Sequence, residues 1–192
     1  MKKKLFVSLC LLWATTLLFA QNEGYKFEPL RSSYFSACYS NNFEDIKYHV
    51  EKRKIDIDTV LLEGRTGLHL AVLADRLDIA TYFVEKGANI NKPENSGYTP
   101  LHLATARLNL NMVKMLVEKG ADINNQNTAQ GYTPLHIAAS REKGADIVEY
   151  LISKGAKVNV KAMDKNTPLD IAKKYKIEKN IKLLKDADKK KK

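Results

Sequence analysis

Histidine is the side chain best suited to acid–base or metal chemistry near neutral pH. Three of the four histidines in this 192-residue chain fall at the same place in a repeated phrase. GYTPLH stands at residues 97–102 and again at 131–136, GRTGLH at 64–69 and KNTPLD at 165–170. His69, His102 and His136 are therefore candidates for a catalytic base, a metal site or a structural device. A base needs a nucleophile within hydrogen-bond reach, and the nearest on offer are Thr66, Thr99 and Thr133. A zinc site needs several ligands within about 2–2.3 Å of one ion, yet no cysteine or glutamate recurs beside the histidines. The sequence has no phosphate-cradling glycine loop, no Cys-x-x-Cys, no HExxH and no GxSxG. Asp56 and Asp58 look like a carboxylate pair, but their alternation with Ile55 and Ile57 reads as half-buried extended chain.

The elements that must position these residues follow from periodicity. Thr66, Thr99, Thr133 and Thr167 are separated by 33, 34 and 34 residues, and GANIN, GADIN and GAKVN run in step from Gly87, Gly120 and Gly155. A fixed period of this length is the signature of stacked repeats. Threonine before Pro100, Pro134 or Pro168 opens a helix: the hydroxyl caps free amides, and proline sits where no amide partner is needed. Leu101, Leu103 and Ala104 give the short first helix an apolar side. Met112, Val113, Leu116 and Val117 space a second helix over residues 111–119. Gly120, like Gly87 and Gly155, follows where a left-handed cap ends a helix, and ADINNQNTAQ supplies turn residues. Neither helix is long enough to stand alone, so each must bury a face on the neighbouring repeat. Packed helices lie about 8–10 Å apart, so one histidine per repeat cannot converge on one ion, and threonines used as caps are not free nucleophiles. Each ring is expected to hydrogen-bond its threonine and the adjoining turn, tying one repeat to the next. His49, beside Tyr48 and Val50, reads as a half-buried helix residue.

TPLH-x-A, an apolar helix and GADIN at this spacing resemble the ankyrin repeat. The resemblance implies an all-α repeat solenoid, an ankyrin stack of helix-turn-helix units joined by β-hairpin-like loops. Repeats at about 64–95, 96–129 and 130–162 carry the motif well. The segment 31–62 has the helical and IDID elements without TPLH, and 163–188 keeps TPLD but stops before a turn. Degenerate outer repeats are what the solvent-facing ends of a stack require. The departures are Gly67 in place of proline, Leu108 in place of glycine, and one extra residue each in SREKGADI and NNQNTAQ.

The resemblance also implies protein–protein binding through a concave face, without catalysis. The family's variable contact positions fall here on Arg65, Tyr98, Tyr132 and Asn166 before the threonine. At the first-helix ends they fall on Leu73, Ala74, Ala106, Arg107, Ser140, Arg141, Lys174 and Tyr175. Tyrosine and arginine dominate binding hot spots, which singles out Arg65, Tyr98, Arg107, Tyr132, Arg141 and Tyr175. These six are expected to project from the stack and contribute little to it, and Lys114 and Glu149 on the second-helix face are expected to be inert. The partner is expected to be another protein and the chain a monomer, with no cofactor and no metal.

The termini carry a separate message. Net charge is +10, with Lys2, Lys3 and Lys4 at one end and residues 189–192, all lysine, at the other. A nucleic-acid binder would carry its basic residues as a patch on a folded face, so the terminal placement speaks against that role. MKKK followed by the uncharged apolar residues 5–20 has the order of a signal peptide, cleaved after Ala20. The stretch is shorter than the about 20 residues of a membrane span; an uncleaved anchor is the weaker alternative. Cleavage would leave Cys38 alone, a buried and inert thiol in an apolar context. The expected layout is signal peptide 1–20, linker 21–30, repeats 31–188 and Lys tail 189–192. The leading function is an exported module, periplasmic or secreted, that assists or inhibits an envelope or host protein. The alternative is a basic adhesion protein whose Lys tail meets anionic lipid or polymer, a role that clipping residues 189–192 would abolish.

Overall fold

The computed structural model describes residues 29–189; the expected signal peptide and the last three lysines lie outside the described residues. The chain divides into two compact units, Met1–Ser36 and Ala37–Lys192. Of the first, the described part is the opening of helix α1 (Pro29–Ser40).

Four helix pairs follow a degenerate opening. The opening is α2 (Phe43–Lys47), continued by a π-helical turn (Tyr48–Lys52). The first helices of the pairs are α3 (Gly67–Leu73), α5 (Pro100–Ala106), α7 (Pro134–Ala139) and α9 (Pro168–Lys174). The second helices are α4 (Leu77–Glu85), α6 (Leu110–Glu118), α8 (Ala145–Ser153) and α10 (Glu178–Lys189). First helices pack on first helices, second on second, and each first helix packs on its own partner, so the molecule is a two-layered all-α solenoid. No strand occurs among the described residues. Leu68, Ile79, Phe83, Leu101, Met112, Leu116, Leu135, Ile147, Leu151 and Ile171 lie fully buried between the layers, each contributing about 1.5–3 kcal/mol relative to exposure.

Local chemistry ends each helix where the stack needs it to end. After α4 the N–H of Gly87 bonds Val84 O and that of Ala88 bonds Phe83 O, both at 3.0 Å. Gly87 stands at φ +87°, and Gly120 and Gly155 repeat the arrangement at +94° and +91°, the left-handed cap that glycine adopts without strain. First helices end the same way without glycine: Asp75, Leu108 and Lys176 take φ of 61°, 59° and 57°. All three bear the steric cost that a β-carbon meets in that region.

Two departures from the repeat acquire a reason. A β-carbon at Gly67 would collide with the Phe83 ring; the smaller Leu116 and Leu151 occupy the equivalent register beside Pro100 and Pro134. The extra residue in repeat four forms a 3-10 turn, Glu142–Gly144. There Asn180 Nδ2, fully buried on α10 of the next repeat, donates to the carbonyls of Ala138, Ala139 and Arg141 at 3.4, 3.2 and 3.0 Å. One side chain thus closes the open end of α7 from outside.

Two expectations for the opening repeat are corrected. His49 is buried in the π turn, 7% exposed, rather than half-buried on an α-helix. Asp56 and Asp58 bracket a turn and not an extended run: Asp56 Oδ1 accepts the Asp58 amide at 2.9 Å, and the Asp58 carboxylate accepts the Asn89 amide at 3.0 and 3.1 Å.

Candidate partner-binding face

Each first helix begins with a capping box, and in α3, α5 and α7 an imidazole ring occupies the place usual for glutamate. Nδ1 of His102 accepts the Thr99 amide at 3.2 Å and lies 2.8 Å from Thr99 Oγ1. A backbone amide can only donate, so Nδ1 is the bare nitrogen and Nε2 carries the proton. That proton goes to the Tyr132 carbonyl of the next repeat, 2.9 Å away. His136 is held by Thr133 at 3.1 and 2.8 Å and reaches Asn166 O at 3.2 Å. His69 is held by Thr66 at 3.1 and 2.9 Å, and its buried Nε2 faces the Tyr98 and Lys92 carbonyls without closing a well-formed bond to either. In the last repeat Asp170 Oδ2 substitutes for the ring, accepting from Thr167 N at 3.1 Å and Thr167 Oγ1 at 2.7 Å.

Burial is the largest cause holding all three rings neutral. It lowers His102 and His136 from the ordinary histidine range and takes His69 down to about 4. Rings with no exposed atom and both nitrogens engaged, as in His102 and His136, are joints between repeats. Among the described residues no group of His, Cys, Asp and Glu is clustered as a metal ion would need.

Two further ladders run along the stack. At the turn tips, Asn95 N bonds Glu63 O at 3.1 Å, Ala129 N bonds Ser96 O at 3.2 Å and Met163 N bonds Gln130 O at 2.9 Å. The tip glycine must be small for this: Gly97 stands at φ +80°, and a β-carbon there would strike Thr128 of the next tip. Beneath the second helices, the Asn91 side chain accepts the Asp122 amide at 2.7 Å and the Asn124 side chain accepts the Lys157 amide at 2.8 Å. Sequence reasoning credited these asparagines to turns alone; their recurrence at one register was the available signal.

The six anchor candidates fall into two classes. Arg107, Arg141 and Tyr175 are exposed at the ends of α5, α7 and α9, and each stands eight residues after its capping threonine. Arg65, Tyr98 and Tyr132 sit one residue before the threonine and are part of the stack. Arg65 pairs with Glu63 of its own tip at 2.8 Å. Tyr98 Oη donates to Gln130 Oε1 at 2.8 Å, and Tyr132 Oη to Asp164 Oδ2 at 3.4 Å, each in the following repeat. The Tyr132 ring lies flat on His136, centroids 5.3 Å apart at 2°. The expectation that these tyrosines contribute little to the stack is therefore corrected: a phenol long enough to leave its tip also reaches the next one. Burial first and then Asp164 push the Tyr132 phenol up, and Tyr175 and Tyr98 are near enough to add to the rise. The three tyrosines thus share a neighbourhood. On the second-helix face the Lys114 ammonium lies 5.8 Å over the Tyr150 ring of the next repeat.

Comparison with known proteins agrees with this architecture. Residues 34–127 match the family described as ankyrin repeats (3 copies), and residues 109–152 match ankyrin repeats (many copies). Alpha-latrocrustotoxin-Lt1a of Latrodectus tredecimguttatus is 41% identical over 57 residues, 30% of this chain and 4% of the toxin. Palmitoyltransferase AKR1 of Naumovozyma castellii is 29% identical over 63 residues, 33% of this chain and 8% of that enzyme. The similarity thus spans a small part of each relative.

Proposed function

This chain belongs to the ankyrin-repeat family, and on that premise we propose that it is a non-enzymatic module that holds another protein on the face built from first-helix ends and turn tips. The observation that carries the reading is the contrast on that face. Its histidines, threonines and tip amides are consumed by contacts between repeats, whereas Arg107, Arg141 and Tyr175 project at one register with nothing in the stack to hold. We also propose that the module is exported, on the strength of MKKK followed by sixteen uncharged residues, and that its partner is an envelope or host protein it assists or inhibits. No helix of the described residues is long and apolar enough to cross a membrane.

Affinity capture with the chain, followed by titration calorimetry, tests the binding face. Arg107→Ala and Arg141→Ala are expected to weaken binding by about tenfold or more, about 1.4 kcal/mol, with unchanged melting temperature. Glu149→Ala on the second-helix face is expected to cost under about 0.5 kcal/mol. Equal losses on both faces would move the site elsewhere. Export is tested by mass and fluorescence: Trp13, the single tryptophan, lies within residues 1–20, so the mature protein should show no tryptophan emission.

A further inference from the structure

The two faces of the stack treat their charges differently. On the second-helix face three lysines pair with carboxylates of the preceding repeat, Lys86 with Glu51 at 2.9 Å, Lys119 with Glu85 at 3.8 Å and Lys179 with Asp146 at 3.4 Å, and Lys114 and Lys154 lie over the Tyr150 ring at 5.8 and 5.6 Å. On the first-helix and tip face the carboxylates are used internally. Glu63 holds Arg65 at 2.8 Å, and Glu94 accepts its own tip amides at 3.0 and 3.1 Å. Asp75 accepts from Asn109. Asp164 accepts the Asn166 amide at 3.1 Å, and Asp170 accepts from Thr167 at 2.7 Å and pairs with Lys173 at 3.8 Å. Arg107, Arg141 and Lys174 form no ion pair among the described residues. Glu142, exposed directly after Arg141, and Asp164, which feels the Lys174 charge, offset part of this charge, and the three cations still leave the face net positive.

Building on the protein-binding reading, we propose that the occupant of this face is an acidic segment of a partner protein, bound extended across repeats three to five. The cations stand at adjacent registers in neighbouring repeats, and packed helices are about 8–10 Å apart. An extended chain rises about 3.3 Å per residue, so carboxylates three residues apart keep pace with the repeat. Arginine forks grip carboxylates bidentately and stay charged at any working pH. Arg141 is pre-positioned: its backbone carbonyl is fixed by Asn180 Nδ2 at 3.0 Å and by the Gly144 amide at 2.9 Å. The same first-helix and tip face carries Tyr132, flat on His136, and Tyr175, 57% exposed beside Lys174; these rings offer apolar contact for residues between the acidic ones.

The test uses three synthetic peptides, EAYEAYE, its neutral analogue QAYQAYQ and its basic analogue KAYKAYK, titrated into the isotopically labelled full chain by NMR. The acidic peptide is expected to bind saturably, with shifts at Arg107, Arg141, Lys174 and Tyr175. Affinity should fall at least tenfold for Arg107→Gln/Arg141→Gln and fall again as salt rises from about 0.05 to about 0.5 M, where screening shortens to a few ångströms. Lys119→Gln on the other face should change it less than twofold. If the neutral peptide binds this face as tightly as the acidic one, protein binding stands and the acidic assignment falls. Binding of the basic peptide, shifts on the second-helix face, or no binding at all overturn it. So does arginine-dependent capture by phosphatidylserine vesicles without peptide binding, which would make the ligand a membrane surface.

Discussion

The junction made by His69 and the junction made by His102 are written in nearly the same letters, GRTGLH and GYTPLH, yet they are built differently. His102 spends both ring nitrogens, one on Thr99 and one on the Tyr132 carbonyl. His69 spends one on Thr66, and its other nitrogen faces the Tyr98 and Lys92 carbonyls without a well-formed bond. Proline opens the helix beside His102; at Gly67 the Phe83 ring fills that space. A buried polar atom left poorly paired forfeits part of a penalty of roughly 1–3 kcal/mol, so the histidine joint between repeats two and three holds less tightly than the one made by His102. A repeat phrase therefore sets the parts of a joint but not whether the joint closes.

The largest test of this comparison is acid. His69 falls from an unfolded value of 6.5 to about 4, and His102 and His136 are lowered too, burial being the first cause in each. Between these values the unfolded chain binds more protons than the folded one. Stability from the neutral rings is therefore complete above about pH 6.5 and is lost as pH falls toward 4. His69 alone should account for about 3 kcal/mol by pH 4. Asp164 and Asp170 are held below the ordinary carboxylate range, mainly by Asn166 and Thr167, so their losses begin at lower pH. Urea unfolding at about pH 7.5 and at about pH 4 reads the slope; a flat profile across that window would contradict the buried neutral rings.

The next test converts the weak joint into the strong one. Gly67→Pro restores the repeat's usual residue, but with Phe83 in place it should destabilise the fold by about 1–3 kcal/mol through overpacking. Adding Phe83→Leu should recover most of that loss, a coupling that a thermodynamic cycle measures directly. Additive effects would show that ring and proline do not share the space. The smallest test compares the histidines. His102→Ala strands a carbonyl in the next repeat and should cost about 1 kcal/mol more than His69→Ala, read as the difference between two urea midpoints. Equal costs would mean the bridge to Tyr132 contributes nothing net.

Much of the architecture was legible in one dimension. Spacing of threonine, histidine and glycine determined the repeat, the helix starts and the left-handed ends, because caps and turns act over three or four residues and leave their mark in adjacent letters. The candidate contact register was legible for the same reason, since Arg107, Arg141 and Tyr175 recur at one offset from a capping residue. What only the tertiary structure decided are the bonds that cross from one repeat to the next, Tyr98 to Gln130, Asn91 to Asp122 and Asn180 to the end of α7, and, within one repeat, the seating of Phe83 over Gly67. The bonded partners lie roughly 30 to 40 residues apart in the chain. Whether two such groups meet depends on how neighbouring repeats rotate and pack, and no local pattern of residue types encodes that. The loosely held nitrogen of His69 and the unspent charges of Arg107 and Arg141 are consequences of that packing.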